Sequence, residues 1–181
     1  LDCRLANVNV GRRAAGGDGH SIVRFRVGQG FDFHPLEAGR KLILGGVEIE
    51  HAAGLRGHSD ADVAAHALAN AILGALGEGD LGLHFPDSDP RYLGADSLTL
   101  LQSVWRRATD LGWSLVNADI TIVASRPKLA PHLPAMRARL AAVLDVDAGL
   151  LNVKASNPEG LGALGRGEGM ASAAIVMLEA P

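Results

Sequence analysis

The chain of 181 residues is 48% hydrophobic, and its formal charge of −3 builds no polyelectrolyte field, which argues against nucleic acid as a main partner. No apolar run reaches the roughly 18 residues of a membrane span, so no membrane is expected. Cys3 is the only cysteine, so there is no intrachain disulfide, and a reducing, cytoplasmic compartment is the natural reading. The length suits one domain, and many alanines and leucines with few aromatics suggest helices packed on a sheet.

Residues 1–21 carry Gly11, Gly16, Gly17 and Gly19 beside Arg12 and Arg13, without apolar periodicity. They read as a flexible leader or linker ahead of a single domain over 22–181. Vector-derived residues, a processed targeting segment (plastid in that case) and a linker from a larger polypeptide are equally compatible. Ile22 to Val27 reads as a strand and leads into Gly28-Gln29-Gly30-Phe31-Asp32-Phe33-His34-Pro35. If the strand continues, Asp32 and His34 leave on one face, as carboxylate and imidazole would for a divalent metal. Gly28 and Gly30 imply that something bulky approaches this backbone. A turn carrying a surface histidine is the plainer alternative.

Leu42–Leu44 and Val47–Ile49 flank Gly45-Gly46 as a hairpin. A helix over 60–76 follows, with Ser59 or Asp60 as N-cap and Ala64, Ala67, Leu68, Ala71, Ile72 and Ala75 as its apolar stripe. Asp62, His66 and Asn70 share one flank, either a solvated edge or the source of a third ligand, His66. Asp32, His34 and His66 would leave a fourth coordination position open. Asp80 to Pro90 reads as a loop. The spacing next predicts a helix over 97–111, capped by Asp96 and with Trp105 in the core. A strand from Ser114 to Ala124 follows, with Asp119 at an edge or interface. Arg126 and Lys128 then offer an anion site or merely a solvated loop. A helix over 134–144, a short strand at Leu151–Val153, the Ser156–Gly160 loop, the Gly165–Gly169 turn and a last strand from Ala171 to Leu178 complete the chain.

The blocks GQGFDFHP, GHSDADVAAHAL, GEGDLGLHFPDSDP, ASRPKLAPH and KASNPEGLGALGRGEG, in this order, resemble the 2-C-methyl-D-erythritol 2,4-cyclodiphosphate synthase family. The resemblance implies an α+β fold: a mixed sheet of about four strands, helices on one face and a small extra hairpin. It implies a homotrimer with the sheets around the threefold axis and active sites between subunits. In some organisms the family is fused to a cytidylyltransferase, and an isoprenoid diphosphate is a further expected ligand of the trimer's axial cavity.

By position, the resemblance assigns zinc to Asp32, His34 and His66, and a second ion, magnesium or manganese, to Glu159. His58 and Ser59, expected at a helix N-terminus, would bind phosphate. Asp80, Gly82, Phe85 and Asp87 would meet the methylerythritol end. Ala124, Pro127 and Lys128 would hold the cytidine, and Arg166 would bind phosphate. Ser156 and Asn157 stand where threonines are usual, and Asn157 joins His58 as a catalytic candidate. Asn70 replaces a usual aspartate and Ala163 a common phenylalanine. The implied reaction closes a cyclic diphosphate from a cytidyl diphosphate substrate and releases CMP. A zinc hydrolase of a nucleotide diphosphate and a non-catalytic trimer binding isoprenoid diphosphates are the alternatives.

Overall fold

Gly28 and Gly30 set the distance between the sheet and the central helix. In the computed structural model, which describes residues 23–181, they lie on strand β1 (Arg24–Ala38), directly beneath helix α1 (Val63–Leu76). A β-carbon at Gly28 would sit 1.9 Å from the Ala71 carbonyl oxygen, and one at Gly30 would sit 2.1 Å from that of Ala67. The bulky neighbour expected from the glycines is therefore the backbone of α1. The expectation for residues 1–21 lies outside the described residues.

β1 continues well past Val27, so Asp32 and His34 do share a face. It pairs antiparallel with β7 (Gly169–Ala180) from Arg24↔Ala180 to Pro35↔Gly169. β5 (Ser114–Val123) lies antiparallel to the other side of β7, and β6 (Leu151–Ser156) adds in parallel to β5. The sheet is thus mixed but has five strands rather than about four, in the order β4-β1-β7-β5-β6. The extra one is β4 (Ala53–Leu55), three residues long with a glycine at its centre, too short to show a period of two. β2 (Leu42–Leu44) and β3 (Val47–Ile49) form the expected separate hairpin. β6 outlasts the reading that ended it at Val153, because its ladder with β5 runs on to Val123↔Ser156.

Helix α1 is not amphipathic. Twelve of its 14 residues are buried, since β1 and β7 hold one side while α3 (Ser97–Asp110) packs on another. The solvated-edge reading of its polar flank therefore fails. The helix starts at Val63, and its N-cap is Asp62 rather than Ser59 or Asp60. The Asp62 carboxylate accepts from the N–H groups of Ala64 and Ala65 at 3.0 and 3.1 Å. It also accepts from Gly45 and Gly46 in the hairpin turn, at 2.8 and 2.7 Å. Asp62 is fully buried and serves the fold, turned away from the row it shares with His66.

α3 is capped by Asp96 as expected, and Trp105 is buried. α4 (Leu133–Leu144) covers β6, and α2 (Leu81–His84) and α5 (Gly162–Gly165) are single turns. Asp119 bonds Asn152 and Lys154 across the β5–β6 pair. Among the described residues, no helix is long and apolar enough to cross a membrane.

Candidate metal and substrate site

The two-residue period of β1 sends Asp32 and His34 toward α1, and the glycine contacts bring the first turns of α1 close enough to meet them. His66 Nδ1 lies 2.9 Å from Asp32 Oδ2, and His34 Nε2 lies 3.2 Å from the same oxygen. One ligand atom from each residue falls within 4.8 Å of the others. His34 Nε2 lies off the axis of a hydrogen bond to Asp32, so this buried nitrogen has no hydrogen-bond partner. Such an orphan needs an explanation, and a cation between the three side chains supplies one. Gly57 completes the cradle, since a β-carbon there would lie 2.9 Å from His34 Cε1.

Charge in the cluster follows from the contacts. Burial alone would raise the Asp32 carboxyl, but the close contacts and charge of His34 and His66 outweigh it and hold the group well below the usual carboxylate range. For His34, burial pulls the imidazole down, and the contact with Asp32 more than reverses this, so its pKa is raised above 6.5. A metal must displace the proton that His34 then holds. Metal affinity is therefore expected to be full at alkaline pH. It should fall as the pH drops through the raised His34 value, by about tenfold per unit for each proton displaced. Competition titrations between pH 5.5 and 8.5 check this; an affinity flat across that range rejects His34 as a ligand.

Asp32, His34, His58, Ser59, His66, Asp80, Gly82, Phe85 and Asp87 all line one cleft of about 840 Å³, so the structure gathers these nine sequence-derived candidates. Asp80 caps α2 through the Leu83 N–H at 2.9 Å. Asn70 does not touch the metal ligands: its Oδ1 accepts from Leu81 N–H at 2.8 Å and its Nδ2 donates to Phe31 O, tying the cleft loop to α1 and β1. The expected helix dipole at His58 and Ser59 is absent. They precede Val63 by several residues, and Asp62 itself takes the N–H groups of Ala64 and Ala65.

The remaining candidates line none of this cleft. Ala124 N–H donates to Ser156 O at 3.1 Å, which places the 124–128 and 156–159 segments side by side. Lys128, Ser156, Asn157 and Glu159 are exposed, and Pro127 is half-buried. Asn157 Oδ1 accepts from Glu159 N–H at 2.9 Å, forming a turn in which Glu159 has φ +52. Arg166 pairs with Glu168 at 2.6 Å and borders a second cavity of about 440 Å³ with Arg126 and His51.

Sequence reasoning took Asp60 only as a helix cap and overlooked Ser97, Tyr92 and Arg56. Tyr92 and Arg56 line the cleft, and Ser97 reaches His66. Ser97 directly follows the cap residue Asp96, so Asp-Ser reads as a helix start and nothing else. For these residues, Gly57 beside His58 is the one sequence signal of close approach.

A family model described as the YgbB family matches residues 25–179. The 2-C-methyl-D-erythritol 2,4-cyclodiphosphate synthase of Geobacter sulfurreducens is 59% identical over 154 residues, 85% of this chain and 98% of that protein. The synthase of Halalkalibacterium halodurans is 56% identical over 153 residues, covering 84% and 98%. Among solved structures, the bifunctional IspDF from Campylobacter jejuni superposes with a TM-score of 0.85 at 42% identity, over 88% of this chain and 43% of that one. A 2C-methyl-D-erythritol-2,4-cyclodiphosphate synthase described as a bound form with CDP gives 0.78 at 38% identity, over 84% and 99%. The metal cradle, the cleft and the smaller cavity beside Arg166 all fall inside the matched span, and the chain belongs to the YgbB family, among relatives named as cyclodiphosphate synthases.

Proposed function

We propose that the protein converts 4-diphosphocytidyl-2-C-methyl-D-erythritol 2-phosphate to 2-C-methyl-D-erythritol 2,4-cyclodiphosphate and CMP, as a phosphorus–oxygen lyase of isoprenoid precursor biosynthesis. The observation that carries this is the convergence of Asp32, His34 and His66 on one point beside an open cleft, with His34 Nε2 unpartnered. In the step, an oxygen of the 2-phosphate forms a bond to the β-phosphorus. The bond from that phosphorus to the bridging oxygen breaks, and CMP leaves with the electron pair. Both reacting groups belong to one substrate, so positioning and charge neutralisation suffice and no protein nucleophile is needed.

Zinc held by Asp32, His34 and His66, and magnesium or manganese held by Glu159, would supply polarisation and neutralisation of the diphosphate. His58 and Ser59 border the same cleft and offer side-chain donors to the phosphates. Asp80 and Asp87 accept hydrogen bonds from the methylerythritol hydroxyls, while Gly82 and Phe85 shape the wall beside them. Ala124, Pro127 and Lys128 hold the cytidine, next to Ser156. Asn157 has committed its Oδ1 to the turn, which leaves the Nδ2 hydrogens for the reacting phosphate.

These groups lie in two separate places on one chain, and assembly is what unites them. Phe25, Val27, Phe31, Phe33 and Ile175 are 49–67% exposed on the sheet face opposite α1. An apolar surface of this kind marks an interaction site. It supports a homotrimer with the sheets around the axis, Arg166 near it, and each site shared by neighbouring subunits. Light scattering should give the mass of three chains, and a lasting monomer would reject this assembly.

The reaction is tested by incubating the protein with the cytidyl substrate and magnesium. Phosphorus NMR should show a cyclic diphosphate in step with CMP. A linear methylerythritol diphosphate would mean that water attacks, making the protein a hydrolase.

A further inference from the structure

His66 presents only one of its two ring nitrogens to the metal cluster. Nδ1 faces Asp32, while Nε2 lies 2.8 Å from Ser97 Oγ and 3.2 Å from Ser59 Oγ. Ser97 is fully buried, and its Oγ also makes a short contact with Asp60 Oδ1. Asp60 acts wholly as an acceptor, taking N–H groups from Asp62 onto Oδ1 and from Ser97 onto Oδ2, both at 3.2 Å. A carboxylate has no proton to give, so the hydrogen in the Ser97–Asp60 contact belongs to Ser97. Ser97 Oγ has then spent its single hydrogen and can only accept from His66.

We propose that Asp60 and Ser97 are positioning residues for the metal: through this chain of hydrogen bonds they place the imidazole proton of His66 on Nε2 and keep the Nδ1 lone pair aimed at the cluster. Ser59 Oγ accepts the Ala61 N–H at 3.1 Å, and with its own hydrogen turned to Ser97 Oγ, 3.3 Å away, or to a phosphate in the cleft, it stands as a second acceptor for the Nε2 hydrogen. With Nε2 protonated, Nδ1 and Asp32 Oδ2 turn electron pairs to the cluster, and His34 Nε2 joins them once its proton is displaced, the donor set that a divalent cation takes. The chain also spans three elements. The loop before α1, the first turn of α3 and the first turns of α1 each hold one member, so the ring of His66 is fixed from outside its own helix.

The inference rests on the metal reading above, and the test separates the two. Zinc dissociation constants are measured by competition with a chromophoric chelator for wild type, Ser97→Ala, Ser97→Thr and Asp60→Asn. The first and last should bind zinc about 10- to 100-fold more weakly, as expected for loss of a ligand's hydrogen-bond partner. In Asp60→Asn the new carboxamide donates to Ser97 Oγ, whose own hydrogen then turns to Nε2 and drives the imidazole proton to Nδ1. Ser97→Thr keeps the hydroxyl and should stay within about threefold of wild type. In the zinc-loaded, nitrogen-15-labelled wild type, His66 Nε2–H should be a slowly exchanging resonance, a readout that needs no variant to fold. Zinc affinity within twofold of wild type in both Ser97→Ala and Asp60→Asn overturns the proposal. So does a fast-exchanging Nε2–H, or weakening in Ser97→Ala with Asp60→Asn unchanged. A wild type that binds no zinc sinks the metal reading and this inference with it.

Discussion

His66→Ala is expected to leave the purified protein with little or no bound zinc and to lower turnover by roughly 10³- to 10⁵-fold. The second figure follows from the several kcal/mol of charge stabilisation that a Lewis acid supplies to a phosphoryl group, converted at about 1.4 kcal/mol per decade. The loss should be that large because, among the described residues, three side chains meet at the point, and His34 and Asp32 alone cannot close a site. The fold should survive. α1 is held by buried neighbours on almost every side, and its cap at Asp62 is untouched. Metal analysis, circular dichroism and turnover on one preparation distinguish loss of the ion from loss of the fold. Zinc at the wild-type level in the variant removes His66 from the ligand set.

Gly30→Ala should be among the most damaging single-methyl changes in the described residues. Its β-carbon would stand 2.1 Å from Ala67 O, 2.5 Å from Ala71 N and 2.8 Å from Asn70 Cβ. Two of these atoms are helix backbone and cannot swing aside, so α1 must move off the strand. Overpacking of this kind costs about 3 kcal/mol or more, the upper end of its usual range. For a domain of this size that corresponds to a melting temperature lower by roughly 10 °C. His66 lies one residue before Ala67, so any outward shift also draws its Nδ1 away from Asp32, and zinc affinity should fall with stability. Gly77→Ala is the contrast. Gly77 closes α1 at φ +75 with nothing within 4 Å of a β-carbon, so only the left-handed conformation, about 1–2 kcal/mol, is penalised. A melting temperature for Gly30→Ala within about 2 °C of wild type would refute the contact argument.

The metal centre was legible because two simple periods produce it. Alternation along β1 pairs Asp32 with His34, and the loop-to-helix pattern marks the stretch that delivers His66. The same periodicity misled at Asp62. Four residues before His66 it looks like a fellow member of the row, but as N-cap its orientation is set by the start of the helix and by the hairpin turn. The pairing of Asp60 with Ser97 was invisible for a different reason. The two are 37 residues apart and belong to separate elements, and their contact exists only once α1 and α3 have packed. β4 escaped because three residues carry no period. The cytidine and second-metal candidates were found through resemblance alone, and the single chain leaves them outside the cleft.

The alternation along β1 also limits how this segment can change over evolutionary time. Asp32 and His34 look toward the helix, while Phe31 and Phe33, 52% and 63% exposed, look the other way. Inserting or deleting one residue between Gly28 and Asp32 would exchange the two sets beyond it: aromatic rings would enter the metal cradle and charged groups the apolar face. No substitution elsewhere can repair both faults at once, so lineages should vary freely in length at bends such as Gly39, where nothing crowds the backbone, and keep the count here unchanged.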